Sequence, residues 1–465
     1  MDITSDEPQS WLDGYARGKR EGARFRGELG PIGAAFTPRD NLRRLAADLT
    51  VRDALGHPVT AEDRAELRKL AAGTRQNDWD NASLGVMAML AGRFADPAAR
   101  AWLAPMLAHA GRYEEAVETR YTMAEGRPAA ADFVVLVSVL AMLGRDDEAR
   151  SLLAGLRSRF PNLAEEFVAS WDESDIGRAY ADLATRRRSA EELAVFVHLP
   201  FSGGTSMIVS LKQTVPRAAV AEVNRRYGLH QLERILAMPE EETARLRLVH
   251  LHHPFALRIR GRTLRHFTVL RDPVSQLSSG YHKRLSTQGI VPTGDTEQST
   301  TFAEHAEYTV RHGLTNMLAR QLVVTHPEMV ERYARRYDRP AAFRGIGSEE
   351  EMFWFDATAE LSDERLLQMC RETLEEQFSV VGSMAHLAAS HLAGAATVGI
   401  PVARRIVHRG RSGQPSSALD EAQERRLREA NGVDQTLYEE CTARFERDFA
   451  PLIAAVEAPE KSADG

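Results

Sequence analysis

The chain has 465 residues, enough for two hydrophobic cores, and its 43% hydrophobic and 27% charged composition is that of a globular protein rather than a disordered or fibrous one. A formal net charge of −7 argues against a protein that coats nucleic acid, although a local basic pocket stays possible. Two cysteines, Cys370 and Cys441, make no disulfide framework and match no metal spacing, so they read as buried thiols in a reducing compartment.

The N-terminal "MDITSDEPQS" is acidic and polar, without the basic start and apolar core of a secretory signal, and the expected location is cytoplasmic. Residues 1–70 are charged and Arg-rich and read as a helical segment without a clear period. Further on, "AHAGRYEEAVETRYTM" (Ala108 to Met123) aligns with "AMLGRDDEARSLLAGL" (Ala141 to Leu156), matching Gly111 with Gly144, Arg112 with Arg145, Glu115 with Glu148 and Ala116 with Ala149. A period near 34 with a small turn residue before an acidic, Ala-containing helix is the signature of tetratricopeptide-like helical pairs. "MLAGRFADPAARAWLAPML" (Met89 to Leu107) reads as a more divergent preceding unit. The alternative is a generic antiparallel bundle; in either case residues 71–190 form an all-helical domain. The apolar run Phe133–Leu143 then fits a helix buried between neighbours, since it is shorter than the roughly 20 residues of a membrane span.

At "TRRRSAEE" (Thr185 to Glu192) the pattern changes. Short β-branched runs, "AVFVHL" (Ala194–Leu199), "LRLVHL" (Leu246–Leu251), "HFTVLR" (His266–Arg271) and "FSVVG" (Phe378–Gly382), now alternate with helical segments. Strands separated by helices predict an α/β domain over residues 191–455, a parallel sheet flanked by helices. Residues 456–465 read as a disordered tail.

In an open parallel sheet the ligand lies beyond the carboxyl ends of the strands, so the residues following each run are the candidates. The first run leads into "HLPFSGGTS" (His198 to Ser206), a glycine loop opening a helix, which is how a backbone approaches an anion and aims free N–H groups at it. The second leads into "HLHHPF" (His250 to Phe255). The third leads into "RDPVSQLSSGYHKRL", where Arg271 ends the strand, Asp272-Pro273 open a helix, and Ser275, Ser279 and Tyr281 follow on or near it. Together they describe a site for a ligand carrying two separated phosphates.

"HLPFSGGTS" resembles the "HIPKTGGTS" loop of carbohydrate-type sulfotransferases, and "FTVLRDPVSQLSSGYH" is similar to that family's "LRDPVERLLSAYY". The resemblance covers residues 194–450, with weaker echoes in "HHPFA", "NMLARQL" (Asn316–Leu322), "VVGSMAHL" (Val380–Leu387) and "NGVDQTLYEECTARF" (Asn431–Phe445). It implies a P-loop-like sulfotransferase fold using 3′-phosphoadenosine 5′-phosphosulfate (PAPS). By that likeness Ser202, Gly203, Gly204, Thr205 and Ser206 bind the 5′-phosphosulfate, Arg271 and Ser279 grip the 3′-phosphate, and His252 is the base for an acceptor hydroxyl on a sugar or small metabolite. His198 supports the loop backbone, and His253 is read as a packing or hydrogen-bonding residue. The helical repeats would dock a protein partner or a second copy; neither nucleic acid nor membrane is expected as a partner. His250 and His252 share a strand face, but no Cys, Asp or Glu at fitting spacing joins them, so no metal is expected.

One residue departs from the family pattern. Phe201 stands where the family has its loop Lys, and losing one such preorganised charge costs ~3 kcal/mol, about a hundredfold in rate, if nothing replaces it. Lys212 lies two helical turns into the following helix and reads as too distant; Lys283, Arg284, Arg258, Arg409 and Arg411 are the candidate replacements. A sulfotransferase is therefore expected, with a catalytically degenerate nucleotide-binding protein as the alternative. A phosphotransferase using ATP is disfavoured by the same missing Lys.

Overall fold

The computed structural model describes residues 38–73, 81–120, 130–159, 167–171, 174–185, 191–223, 228–252, 254, 257–288, 291–292, 298–299, 301–331, 355, 358–404, 406 and 419–457. His253, Arg409, Arg411, residues 1–37 and the tail from 458 lie outside them. The chain divides into two compact units, Met1–Leu140 and Ala141–Gly465.

The first unit is helical: α1 (Pro38–Ala54), α2 (Ala61–Gly73), α3 (Asn81–Gly92), α4 (Pro97–His109), α5 (Tyr113–Thr119) and most of α6 (Ala130–Met142). Its helix ends follow from sequence. Asp96 caps α4 by accepting a hydrogen bond from the Ala99 N–H at 2.8 Å, with Pro97 in the first turn, where a missing N–H costs nothing. The same buried carboxylate accepts Arg68 Nη1 at 2.9 Å, tying α2 to α4. Phe133 to Val137 on α6 are buried consecutively, as expected of a helix apolar all round.

The two echoed turns share a local geometry. Gly111 and Gly144 have φ of 79° and 72°, Arg112 and Arg145 each pair with the Glu three residues on, and Ala116 and Ala149 are both fully buried. A left-handed residue is needed where each chain turns back, and glycine meets that need without strain.

The second unit continues with α7 (Asp146–Arg159), β1 (Phe167–Val168), α8 (Asp175–Thr185), β2 (Glu192–Val197), α9 (Gly204–Leu211), β3 (Val220–Val223), α10 (Gly228–Leu236), α11 (Glu240–Arg245), β4 (Leu248–Leu251), β5 (Thr263–Leu270) and α12 (Pro273–Gln288). It is completed by β6 (Val291–Pro292), β7 (Gln298–Ser299), α13 (Phe302–Arg311), α14 (Met317–Val323), α15 (Asp363–Gln377), β8 (Phe378–Ser383), α16 (Leu387–Ala396), β9 (Val402–Ala403), α17 (Glu421–Ala430), α18 (Gly432–Asp448) and α19 (Ala450–Glu457). A five-stranded sheet in the order β3-β4-β2-β5-β8 is parallel throughout; β1 with β9 and β6 with β7 make short antiparallel pairs.

Both faces of the parallel sheet are buried, as parallel strands require. On β2, Leu193, Val195 and Val197 face a core shared with Leu232 of α10, Leu322 of α14, Leu366 of α15 and Leu437 of α18. Ala194 and Phe196 face the other core, with Tyr180 of α8, Met207 of α9, Leu392 of α16 and Phe445 of α18. The segment before the sheet packs with it: the Tyr180 hydroxyl donates to the Ile400 carbonyl at 2.6 Å. The α/β expectation of a parallel sheet flanked by helices holds.

Candidate functional site

The connection leaving β2 runs to β3 on one side of the sheet, whereas that leaving its neighbour β5 runs toward β8 on the other. The carboxyl ends of β2 and β5 therefore flank the topological switch point, the crevice where open α/β sheets bind ligands. The two phosphate-type motifs of the sequence follow these two strands.

Beyond β2, the His198 N–H donates to the Leu251 carbonyl at 2.7 Å, extending the ladder by one residue before the loop turns away. Gly203 is left-handed, with φ of 77°, and Gly204 begins α9. A Cβ on Gly204 would stand 1.9 Å from Cδ2 of His198, so glycine here is a condition for the histidine ring to lie against the helix start. Ser202 and Ser206 are buried and Thr205 is exposed on the first turn of α9.

Phe201 occupies a left-handed conformation, φ 62°, which is uncommon for a bulky side chain. Its ring lies against Gly280 of α12, where an added Cβ would come within 3.0 Å of it. Its carbonyl accepts a hydrogen bond from Arg271 Nη1 at 3.0 Å, and the preceding Pro200 carbonyl accepts one from Gln276 Nε2 at 2.7 Å. The loop is thus clamped from the side of α12, the helix that also carries half-buried Ser279 next to Gly280. The structure brings the glycine loop, Arg271 and the Ser279 helix together. Tyr281 serves packing, buried with its ring against Phe302 and His305 at centroid distances of 5.8 and 5.5 Å.

Gln276 lies inside "RDPVSQLSSGYHKRL" with no pattern marking its role, and Arg428 lies in no motif. Asp272 caps α12 by accepting the Ser275 N–H at 2.9 Å, and its second oxygen accepts Arg428 Nη1 at 2.5 Å. Burial pushes the Asp272 carboxyl up, but the hydrogen bonds from Arg428 and Ser275 and the Arg428 charge outweigh it and hold the group below its usual range. The spacing of Glu424 and Arg428, one turn apart on α17, was the only available signal for that arginine.

Of the candidates to replace the loop Lys, Arg409 and Arg411 lie outside the described residues. Lys212, at the end of α9, pairs with Glu222 of β3, and Arg258 and Lys283 are exposed. Arg271 itself touches the loop, through the Phe201 carbonyl.

The histidines form a cluster. His250 is buried on β4, and its Nε2 lies 3.2 Å from Nδ1 of His198, a hydrogen bond whose direction follows the tautomer. His252 is half-buried just beyond β4, its N–H donating to the Val223 carbonyl at 3.0 Å. The ring centroids of His252 stand 4.8 Å from His198 and 4.7 Å from His250. Burial, with the charges of His198, His252 and Lys212, pushes His250 down to about 2, so it is neutral at physiological pH. The sequence paired only His250 with His252; the fold adds His198 across the β2–β4 pairing. Chemically, the site offers a helix start behind a glycine loop, a guanidinium and a half-buried imidazole on one end of the sheet.

Compared with known proteins, the chain matches no family model and no curated protein.

Proposed function

We propose that the protein binds PAPS and transfers its sulfuryl group to a hydroxyl acceptor, a sugar or small metabolite. The observation that carries this reading is the meeting of the two phosphate-type motifs at the switch point between β2 and β5, with Arg271 in contact with the loop. The 5′-phosphosulfate lies at the start of α9, held by Ser202, Gly203, Gly204, Thr205 and Ser206; Arg271 and Ser279 hold the 3′-phosphate. On nucleotide binding, Arg271 exchanges the Phe201 carbonyl for phosphate oxygens, a stronger charge-assisted partner. His252 takes the proton of the acceptor hydroxyl as its oxygen attacks sulfur and the S–O bond to the nucleotide breaks.

The alternative, a nucleotide-binding protein without transferase activity, is favoured by Phe201, which stands where the resembled family has its Lys and whose ring is seated on Gly280. In both readings the helices before the sheet form a tetratricopeptide-like module for a protein partner or a second copy. The shared geometry of the turns at Gly111 and Gly144 supports this.

The test is calorimetric titration of adenosine 3′,5′-bisphosphate into wild type and Arg271→Ala, with ATP as control. Micromolar binding to wild type is expected, lost in the variant and absent for ATP; no binding by folded wild type would end the PAPS reading. PAPS turnover then separates the alternatives. Phe201→Lys is expected to raise the transfer rate more than about tenfold by supplying charge at the leaving phosphate, and a variant that binds the nucleotide without any turnover would favour the binding protein.

A further inference from the structure

The cluster at the ends of β2 and β4 holds more than a base. One ring nitrogen from each of His198, His250 and His252 can be chosen so that the three lie within 4.8 Å of one another. Ligands placed tetrahedrally at about 2.0–2.1 Å from a zinc-type ion stand roughly 3.4 Å apart. The His198 and His250 nitrogens, 3.2 Å apart, are already at that separation, and a turn of the half-buried His252 ring supplies the third. No thiol or carboxylate belongs to the group, and a neutral all-imidazole set suits zinc, cobalt or copper rather than magnesium or calcium.

Lys212, a cation near the His250 ring, is balanced by Glu222, which sits beside His250 in the β3–β4 register. The His198 ring also lies against Gly204, which puts the cluster at the edge of the anion loop.

We propose that His198, His250 and His252 form a binding site for a divalent transition metal of the zinc class, leaving a fourth position for water or an oxygen of an anion held at the loop. The site is independent of the sulfotransferase reading. Where both hold, the metal takes the His252 lone pair that a base needs, so the metal-loaded protein is the inactive form.

The full-length, metal-free protein is titrated with Co²⁺, followed by visible absorption and calorimetry. One equivalent is expected to bind, with ligand-field bands of tetrahedral intensity that Zn²⁺ displaces. His250→Gln and His252→Ala each weaken binding by at least about a hundredfold and abolish the bands, whereas His57→Ala, at an exposed site in the other unit, changes nothing. Circular dichroism checks folding, and the half-buried His252 position keeps the test valid if His250→Gln misfolds. No stoichiometric binding by wild type, or binding that survives both cluster substitutions, overturns the proposal. Titrating adenosine 3′,5′-bisphosphate into the same metal-free samples separates the two readings: Co²⁺ binding without nucleotide binding sinks only the sulfotransferase, and the reverse sinks only the metal site.

Discussion

At the scale of single residues, the loop depends on one close approach. His198 and Gly204 stand six positions apart in sequence, and the ring of the first occupies the space that any side chain on the second would need. Gly204→Ala is therefore expected to destabilise the protein by about 1–3 kcal/mol through overpacking. His198→Ala in the same chain should relieve most of that cost. Urea denaturation of the four proteins of the cycle measures the coupling, and additive effects would mean that the ring and the helix start do not compete for space. Phe201 is the opposite case, a bulky residue held in a left-handed conformation by its seat on Gly280 and its carbonyl bond to Arg271. Such a conformation costs on the order of 1 kcal/mol or more and persists only because its surroundings fix it.

At the scale of elements, two helices far apart in sequence cap each other. The Asp434 carboxylate accepts the N–H groups of Leu318 and Ala319, at 3.0 and 2.8 Å, at the start of α14. In return Asn316 Oδ1 accepts those of Val433 and Asp434 at the start of α18, while Asn431 Oδ1 accepts the Asn316 N–H at 2.9 Å. Asp434→Ala leaves two buried donors unmet and should cost about 3 kcal/mol, with Asp434→Asn costing less; chemical denaturation checks the order. Both segments were visible in the sequence, as "NMLARQL" and "NGVDQTLYEECTARF", but nothing local marks them as partners. The four quoted strand runs were legible because apolar, β-branched stretches mark buried parallel strands. The "VAEV" of β3 was not, because Glu222 interrupts its apolar run. The same limit hid the third histidine: spacing along one strand finds His250 with His252, whereas His198 joins them only through strand pairing. Gln276 stayed hidden because a neutral amide inside a helix carries no pattern of its own.

At the scale of the whole molecule, buried histidines make stability depend on pH. Burial pushes His266, His305 and His391 down to about 4 each, against weaker opposing hydrogen bonds at His266 and His391 and with the Arg284 charge assisting at His305. Between about pH 4 and the ordinary value near 6.5, the unfolded chain binds protons that the folded chain refuses, so stability falls as pH falls through this window. Asp434 acts in the opposite sense: burial raises it to about 6 despite the amides of Ala319 and Leu318, and lowering the pH toward 4 relieves that cost. His250, pushed down to about 2, acts in the same sense as these three, so the histidines prevail and a net loss of several kcal/mol is expected at pH 5 relative to pH 8. Urea midpoints across this range test it, and a midpoint that is flat or rises toward acid would contradict the sign. The exchange of caps between α14 and α18 also orders events in time. During synthesis, residues 316–319 emerge long before 431–434, so α14 waits with its first amides unmet while more than a hundred residues are added. The loop that must close is long, and its closure joins helices that share the core facing Leu193, Val195 and Val197. The C-terminal helices are thus less an appendage to the parallel sheet than its keystone, and an interrupted chain is left with a framework that has not yet locked.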